Sequence, residues 1–258
     1  MMLYEMICLE IPDVMPLMQN TDGLETMIPR KYYDKYMEIC ARWEKITNLQ
    51  LEHDTYSRLI LGDVNNYIAV TESKKVDKEV YEELKKKVPY DVYEEINGEY
   101  FVKATKSKGR FEFTNLALHK NKSFLIIPKA IFMYFVRGIE PEDYLITEQN
   151  IFDYCGGVKI KGNWEFVEHQ VIMGDYTKNN LQDTLRYYIS SNGSKIIKSN
   201  RGDGREIQIE AGRWLQTVYV KHVEKSFDEY GIDLRYYLDK IKKEIQSLEP
   251  VINQLKLF

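Results

Sequence analysis

The sequence predicts an α+β chain: an antiparallel sheet with a helix, followed by a mixed, largely helical part. Three observations carry this. Asp22-Gly23 and Asn97-Gly98 each sit between apolar runs, and such pairs close tight hairpins because they tolerate positive φ. Residues 31–46 place Tyr32, Tyr36, Ile39, Trp43 and Ile46 at helical spacing. From Leu116 the alternating pattern gives way to longer apolar runs. The natural cut lies near residue 115, giving parts 1–115 and 116–258.

Taken in order, Leu3, Ile7 and Ile11 form one helical stripe that ends at Pro12 and Pro16. No capping residue precedes that stripe, so a further portion is expected upstream. Val14 to Gln19 and Leu24 to Pro29 then flank Asn20-Thr21-Asp22-Gly23 as a hairpin. After the amphipathic helix, 49–51 and 58–70 read as strands. Residues 72–95 carry a dense mix of acids and lysines and read as a solvated, mostly helical or loop insert. Tyr100 to Ala104 follows the second hairpin turn. An apolar helix is expected over 124–137, started or interrupted near Pro128. Strands at 158–167, 184–189 and 206–210 come next, with turns at Asn192-Gly193 and Gly202-Asp203-Gly204. Helices at about 211–222 and 234–247 close the chain.

Composition narrows the function classes. The 258 residues are 44% hydrophobic and 29% charged, enough for a packed core and unlike a disordered chain. Cys8, Cys40 and Cys155 form no CxxC pair, and the four histidines lack zinc-site spacing. That favours a reducing, cytoplasmic setting over a disulfide scaffold. No apolar run reaches transmembrane length, so no membrane partner is expected. The 20 tyrosines suit either strands or amphipathic contact surfaces.

The net charge of −4 argues against a uniformly basic nucleic-acid coat. One stretch departs from it. Between residues 103 and 137, Lys103, Lys106, Lys108, Arg110, Lys120, Lys122, Lys129 and Arg137 face a single acid, Glu112. Eight cations against one acid give +7, with Phe111, Phe113, Phe124, Phe132, Tyr134 and Phe135 interleaved. Phosphate-backbone binding needs such an asymmetry, though a solvated face can also produce it. Asp22, on a hairpin tip, is placed to hold a divalent ion, but Asp-Gly tips are also common plain turns. Asn65, Asn66 and Tyr67 can bond phosphate and sugar without charge; read as strand residues, Asn65 and Tyr67 share a face. A smaller cluster of Lys195, Lys198, Arg201, Arg205 and Arg213, against Asp203, Glu206 and Glu210, reads as a solvated hairpin.

These pieces occur in an order that resembles the C-terminal portion of a phage-type family B DNA polymerase. The turn Asn20-Thr21-Asp22-Gly23 is similar to the family's DTDS turn in the palm, with Asp22 on the second aspartate, a ligand of catalytic magnesium. The segment from Gly62 to Ala69 sits where the family has a lysine-rich segment ending in Tyr-Ala that touches primer-template. Lys108-Gly109-Arg110-Phe111-Glu112 resembles the Lys-Gly-x-Glu element that closes the palm. The remainder of the chain resembles the thumb, with Tyr236-Tyr237-Leu238-Asp239-Lys240-Ile241 near its end. Departures accompany the match: Asn20 replaces the first aspartate, Gly23 the serine, and Asn65 and Asn66 replace cations.

The resemblance implies the end of a palm over 1–115, a thumb over 116–258, and template-directed deoxynucleotide addition in phage DNA replication, in the host cytoplasm. Asp22 would bind Mg2+. Asn65, Asn66, Tyr67, Lys106, Lys108, Arg110, Lys120, Lys122 and Lys129 would hold primer-template DNA. The chain has no DxxSLYP motif for the other metal-binding aspartate and no KxxxNSxYG helix for the incoming dNTP. Two-metal nucleotidyl transfer needs carboxylates from two segments, so the N-terminal polymerase motifs are implied on a partner polypeptide or on an upstream part lost by gene splitting or intron interruption, and the chain alone is not expected to polymerise. The alternatives are a non-catalytic DNA-binding subunit or inactive remnant, and a structural or interaction protein that uses its tyrosines for contacts.

Overall fold

The computed structural model of the chain describes residues 2–20, 23–114, 116, 123–172, 175–218 and 225–255, with the backbone alone for 171, 172, 175, 176 and 250–255. Two compact units divide it, Met1–Arg110 and Phe111–Phe258. Each mixes helices with small antiparallel sheets, so the chain is α+β. Among the described residues, no helix is long and apolar enough to cross a membrane.

In the first unit, α1 (Met2–Glu10) and α2 (Tyr33–Thr47) bury Ile7, Ile11 and Ile39 together with Leu24 of the hairpin β1 (Met15–Gln19) and β2 (Leu24–Met27). Strand alternation sends Met18 to the opposite side of the hairpin, where it packs on Tyr67 and Ala69. Those residues belong to the sheet β3 (Tyr56–Asp63), β4 (Asn66–Thr71) and β8 (Thr105–Ser107), ordered β3-β4-β8. Between β4 and β8 the chain inserts a small module of β5 (Lys74–Val76), α3 (Lys78–Lys87), β6 (Val92–Ile96) and β7 (Glu99–Lys103). Tyr81 of α3 anchors it, its ring 5.5 Å from that of Tyr93 and 5.0 Å from that of Tyr100. The insert is therefore built around its own aromatic contacts, more than a solvated loop.

The second unit contains α4 (Ile126–Phe132), continued by a π-helical turn over Met133–Arg137, then α5 (Pro141–Thr147) and α6 (Leu234–Leu255). Its strands are β9 (Gly156–Lys159), β10 (Trp164–Ile172), β11 (Asp175–Leu181), β12 (Thr184–Ser190), β13 (Lys195–Asn200), β14 (Glu206–Gln208) and β15 (Trp214–Thr217). They form sheets ordered β15-β12-β9 and β11-β10-β13-β14. Tyrosines fill this core. Tyr154, Tyr188 and Tyr237 are fully buried. Each of their hydroxyls has a hydrogen-bond partner. The Tyr237 hydroxyl donates to the Tyr154 carbonyl at 2.8 Å and accepts the Ile189 N–H at 2.9 Å. Buried phenols held by hydrogen bonds, rather than surface contacts, account for much of the tyrosine content.

Several expectations are corrected. The second unit is not largely helical: among the described residues, seven strands lie between Gly156 and Thr217. The helix expected at 211–222 is absent; Gly212 sits at φ +79°, and Trp214–Thr217 pairs with β12 instead, while 219–224 lie outside the described residues. The strand expected at 49–51 is coil, because Asn48 ends α2 in the left-handed region and Glu44 takes the Leu51 N–H. The single strand expected over 58–70 is two strands around a tight turn, with Asn65 at φ +68°. Asparagine tolerates that conformation, so Asn65 belongs to a turn and does not share a strand face with Tyr67.

Candidate nucleic-acid interface

The hairpin tip is closed by the Asn20 N–H donating to the Gly23 carbonyl at 3.0 Å. Thr21 and Asp22 lie outside the described residues. From the tip, the Asn20 amide donates to Asn65 Oδ1 at 2.9 Å, and the Asn65 N–H contacts Met18 Sδ at 3.5 Å. The β1–β2 tip is thus tied to the β3–β4 turn.

A second tie joins that turn to the loop after β8. Asn66 Oδ1 accepts the Arg110 N–H at 2.7 Å, while its amide donates to Asp63. The Lys108 N–H donates to the Tyr67 carbonyl at 2.9 Å, extending the β4–β8 pairing by one residue. Gly109 makes the approach possible. At φ +63°, a Cβ there would lie 2.1 Å from Asn66 Oδ1 and 2.4 Å from the Asn65 carbonyl. The three segments singled out in the sequence therefore meet at one corner of the first unit.

Their side chains divide by role. Lys106, Lys108 and Arg110 are exposed. Arg110 lies 3.5 Å from Asp63 and Lys106 lies 3.9 Å from Asp54, whereas Lys108 makes no ion pair among the described residues. Asn65 and Asn66 spend side-chain bonds on the neighbouring loops, so they position the corner. Tyr67 is a core residue at 7% exposure, packed with Met18 and Ala69.

Two other cations of the basic stretch, Lys103 and Lys129, pair with acids within their own units. Lys129 is turned inward within the second unit, paired with Asp153 and with Glu148 at 3.8 Å, its side chain only 13% exposed. It is corrected from a nucleic-acid contact to a buried ion pair. Lys103 bonds Glu94 at 2.7 Å. Phe111, Phe113, Phe132 and Phe135 are core residues, so these four of the six interleaved aromatics offer no stacking platform. Lys120 and Lys122 lie outside the described residues.

Glu25 was not apparent from sequence. It pairs across the hairpin with Met18, which places it on the face turned to the β3–β4–β8 sheet. Burial pushes its carboxyl above the usual range, Lys106 draws it down, and Asp54 pushes it further up. An acid among the apolar residues of β2 was the available signal.

No family model, curated protein or solved structure matches the chain. Among the described residues, no three His, Cys, Asp or Glu side chains gather as a metal site. The Asn20 side-chain amide is already bonded to Asn65. Asp22, the carboxylate expected to hold magnesium, lies outside the described residues.

Proposed function

We propose that this chain is the palm motif C and thumb portion of a phage-type DNA-directed DNA polymerase, completed by a second polypeptide. The observation that supports it is the meeting of the Asn20–Gly23 tip, the Asn65-Asn66 segment where β3 turns into β4, and the Lys108-Gly109-Arg110 loop. These are the segments that resemble the family's magnesium-bearing turn, primer-template strand and palm-closing element. Phosphate contacts fix register without reading sequence, and exposed Lys106, Lys108 and Arg110 supply them. Asp22 would contribute one carboxylate to Mg2+, the partner the other, along with the dNTP-binding helix. The host cytoplasm would be the setting.

Asn20 favours a second reading, a DNA-binding subunit without catalysis, because its amide replaces a carboxylate and is committed to the Asn65 turn. Primer extension separates the two. Mixed with a chain bearing DxxSLYP and NSxYG motifs, the protein is expected to extend a primer, and Asp22→Ala to abolish extension. Extension that persists in the variant contradicts the magnesium role. Salt-dependent DNA binding without extension selects the second reading.

A further inference from the structure

We propose that Asp54 and Asp63 occupy phosphate positions on this interface and hold its nucleic-acid affinity down; the inference rests on the nucleic-acid reading above. The geometry is specific to the corner. Arg110 Nη1 lies 3.5 Å from Asp63 Oδ2, with side chains 43% and 53% exposed. Lys106 Nζ lies 3.9 Å from Asp54 Oδ2, at 44% and 62%. Both pairs face water, where an ion pair is weak and exchangeable. A backbone phosphate, with two charged oxygens like a carboxylate, can compete for either cation. The displaced carboxylate stays beside the incoming anion and opposes it.

Asp63 is the better placed of the two. Its Oδ1 accepts the Asn66 amide, and the same Asn66 takes the Arg110 N–H on Oδ1. One carboxylate therefore touches both the guanidinium and the residue that positions the Arg110 backbone. Lys108, exposed and without an ion pair among the described residues, is the cation that engages first. Nucleic acid then gains Arg110 and Lys106 only by displacing the chain's own anions. Affinity is accordingly lower, and less steeply salt-dependent, than three cations alone would give.

The test is the affinity of a primer-template duplex for wild type, Asp54→Asn and Asp63→Asn across a salt series. Asparagine at 63 can keep the acceptor for Asn66 while removing the charge facing Arg110, and the 54 variant reports independently of that turn. Each is expected to tighten binding about two- to fivefold at low salt and to steepen the log–log slope. Glu83→Gln, which removes a carboxylate paired with Lys87 on α3, controls for net charge. Wild-type affinity in both aspartate variants, or equal tightening in Glu83→Gln, overturns the inference while leaving the nucleic-acid reading standing. No salt-dependent binding by any of the four proteins overturns the reading itself, and the inference with it.

Discussion

Asn66 shows how little chain is needed to hold a corner together. One side chain accepts the Arg110 N–H, donates to Asp63, and leaves room beside it for a residue without a Cβ. Gly109→Ala must force a left-handed φ on alanine and push a methyl into the Asn66 amide. The expected loss is about 2–3 kcal/mol of stability in the first unit, read by urea denaturation, with weaker nucleic-acid binding. A variant as stable as wild type would contradict the packing described. Buried phenols supply a second prediction at this scale. Burial beside Glu210 pushes Tyr236 up to about 12, and burial raises Tyr154, Tyr187, Tyr188 and Tyr237 as well. Unfolded tyrosine ionises near pH 10, below these folded values, so the stability they confer is complete under about pH 10 and is lost as pH rises through 12. Tyrosinate absorbance from these five should therefore appear together with loss of circular dichroism. Ionisation of these five near pH 10 in a folded protein would refute this.

Elements were legible where local chemistry decided them. Asp22-Gly23 and Asn97-Gly98 marked hairpins, and Tyr36, Ile39 and Trp43 marked α2, because a turn or an amphipathic stripe is encoded by adjacent residues. Misreadings arose where a distant partner decided. The Val64-Asn65 turn lacks glycine and interrupts an apolar run that otherwise reads as one strand. Leu215 and Val218 stand at helical spacing, yet backbone pairing with β12 makes Trp214–Thr217 a strand. The α4 cation Lys129 was read as surface charge because its partner Asp153 is remote in sequence. That carboxyl is pushed up by burial and drawn down by Lys129. Lys129→Ala would leave it buried and unpaired, at an expected cost of about 3–5 kcal/mol, whereas Lys129→Met with Asp153→Leu should recover most of it. Equilibrium unfolding of the two variants checks this; a loss as small as that of an exposed pair would contradict the burial.

Over the whole chain, the linear charge map was informative in part. Its +7 stretch divides between the two units: Lys129 is internal to the second, while Lys106, Lys108 and Arg110 are exposed in the first. Linear charge cannot foresee Asp153, Glu94 or Asp54, which reach these cations only after folding. The candidate site was more legible than the fold of the second unit, since hairpin tips and a Lys-Gly loop are local signals. Their convergence needed the β3–β4–β8 sheet. A nucleic-acid backbone gripped at this corner must release counterions, and that release is the most direct test of the proposed interface. In a log–log salt titration of primer-template affinity, wild type should show a clear negative slope, and Lys108→Ala with Arg110→Ala should make it shallower by about 1–2, Arg110 counting for less than a full unit because Asp63 opposes it. A flat wild-type response, or an unchanged slope in the double variant, would contradict the claim.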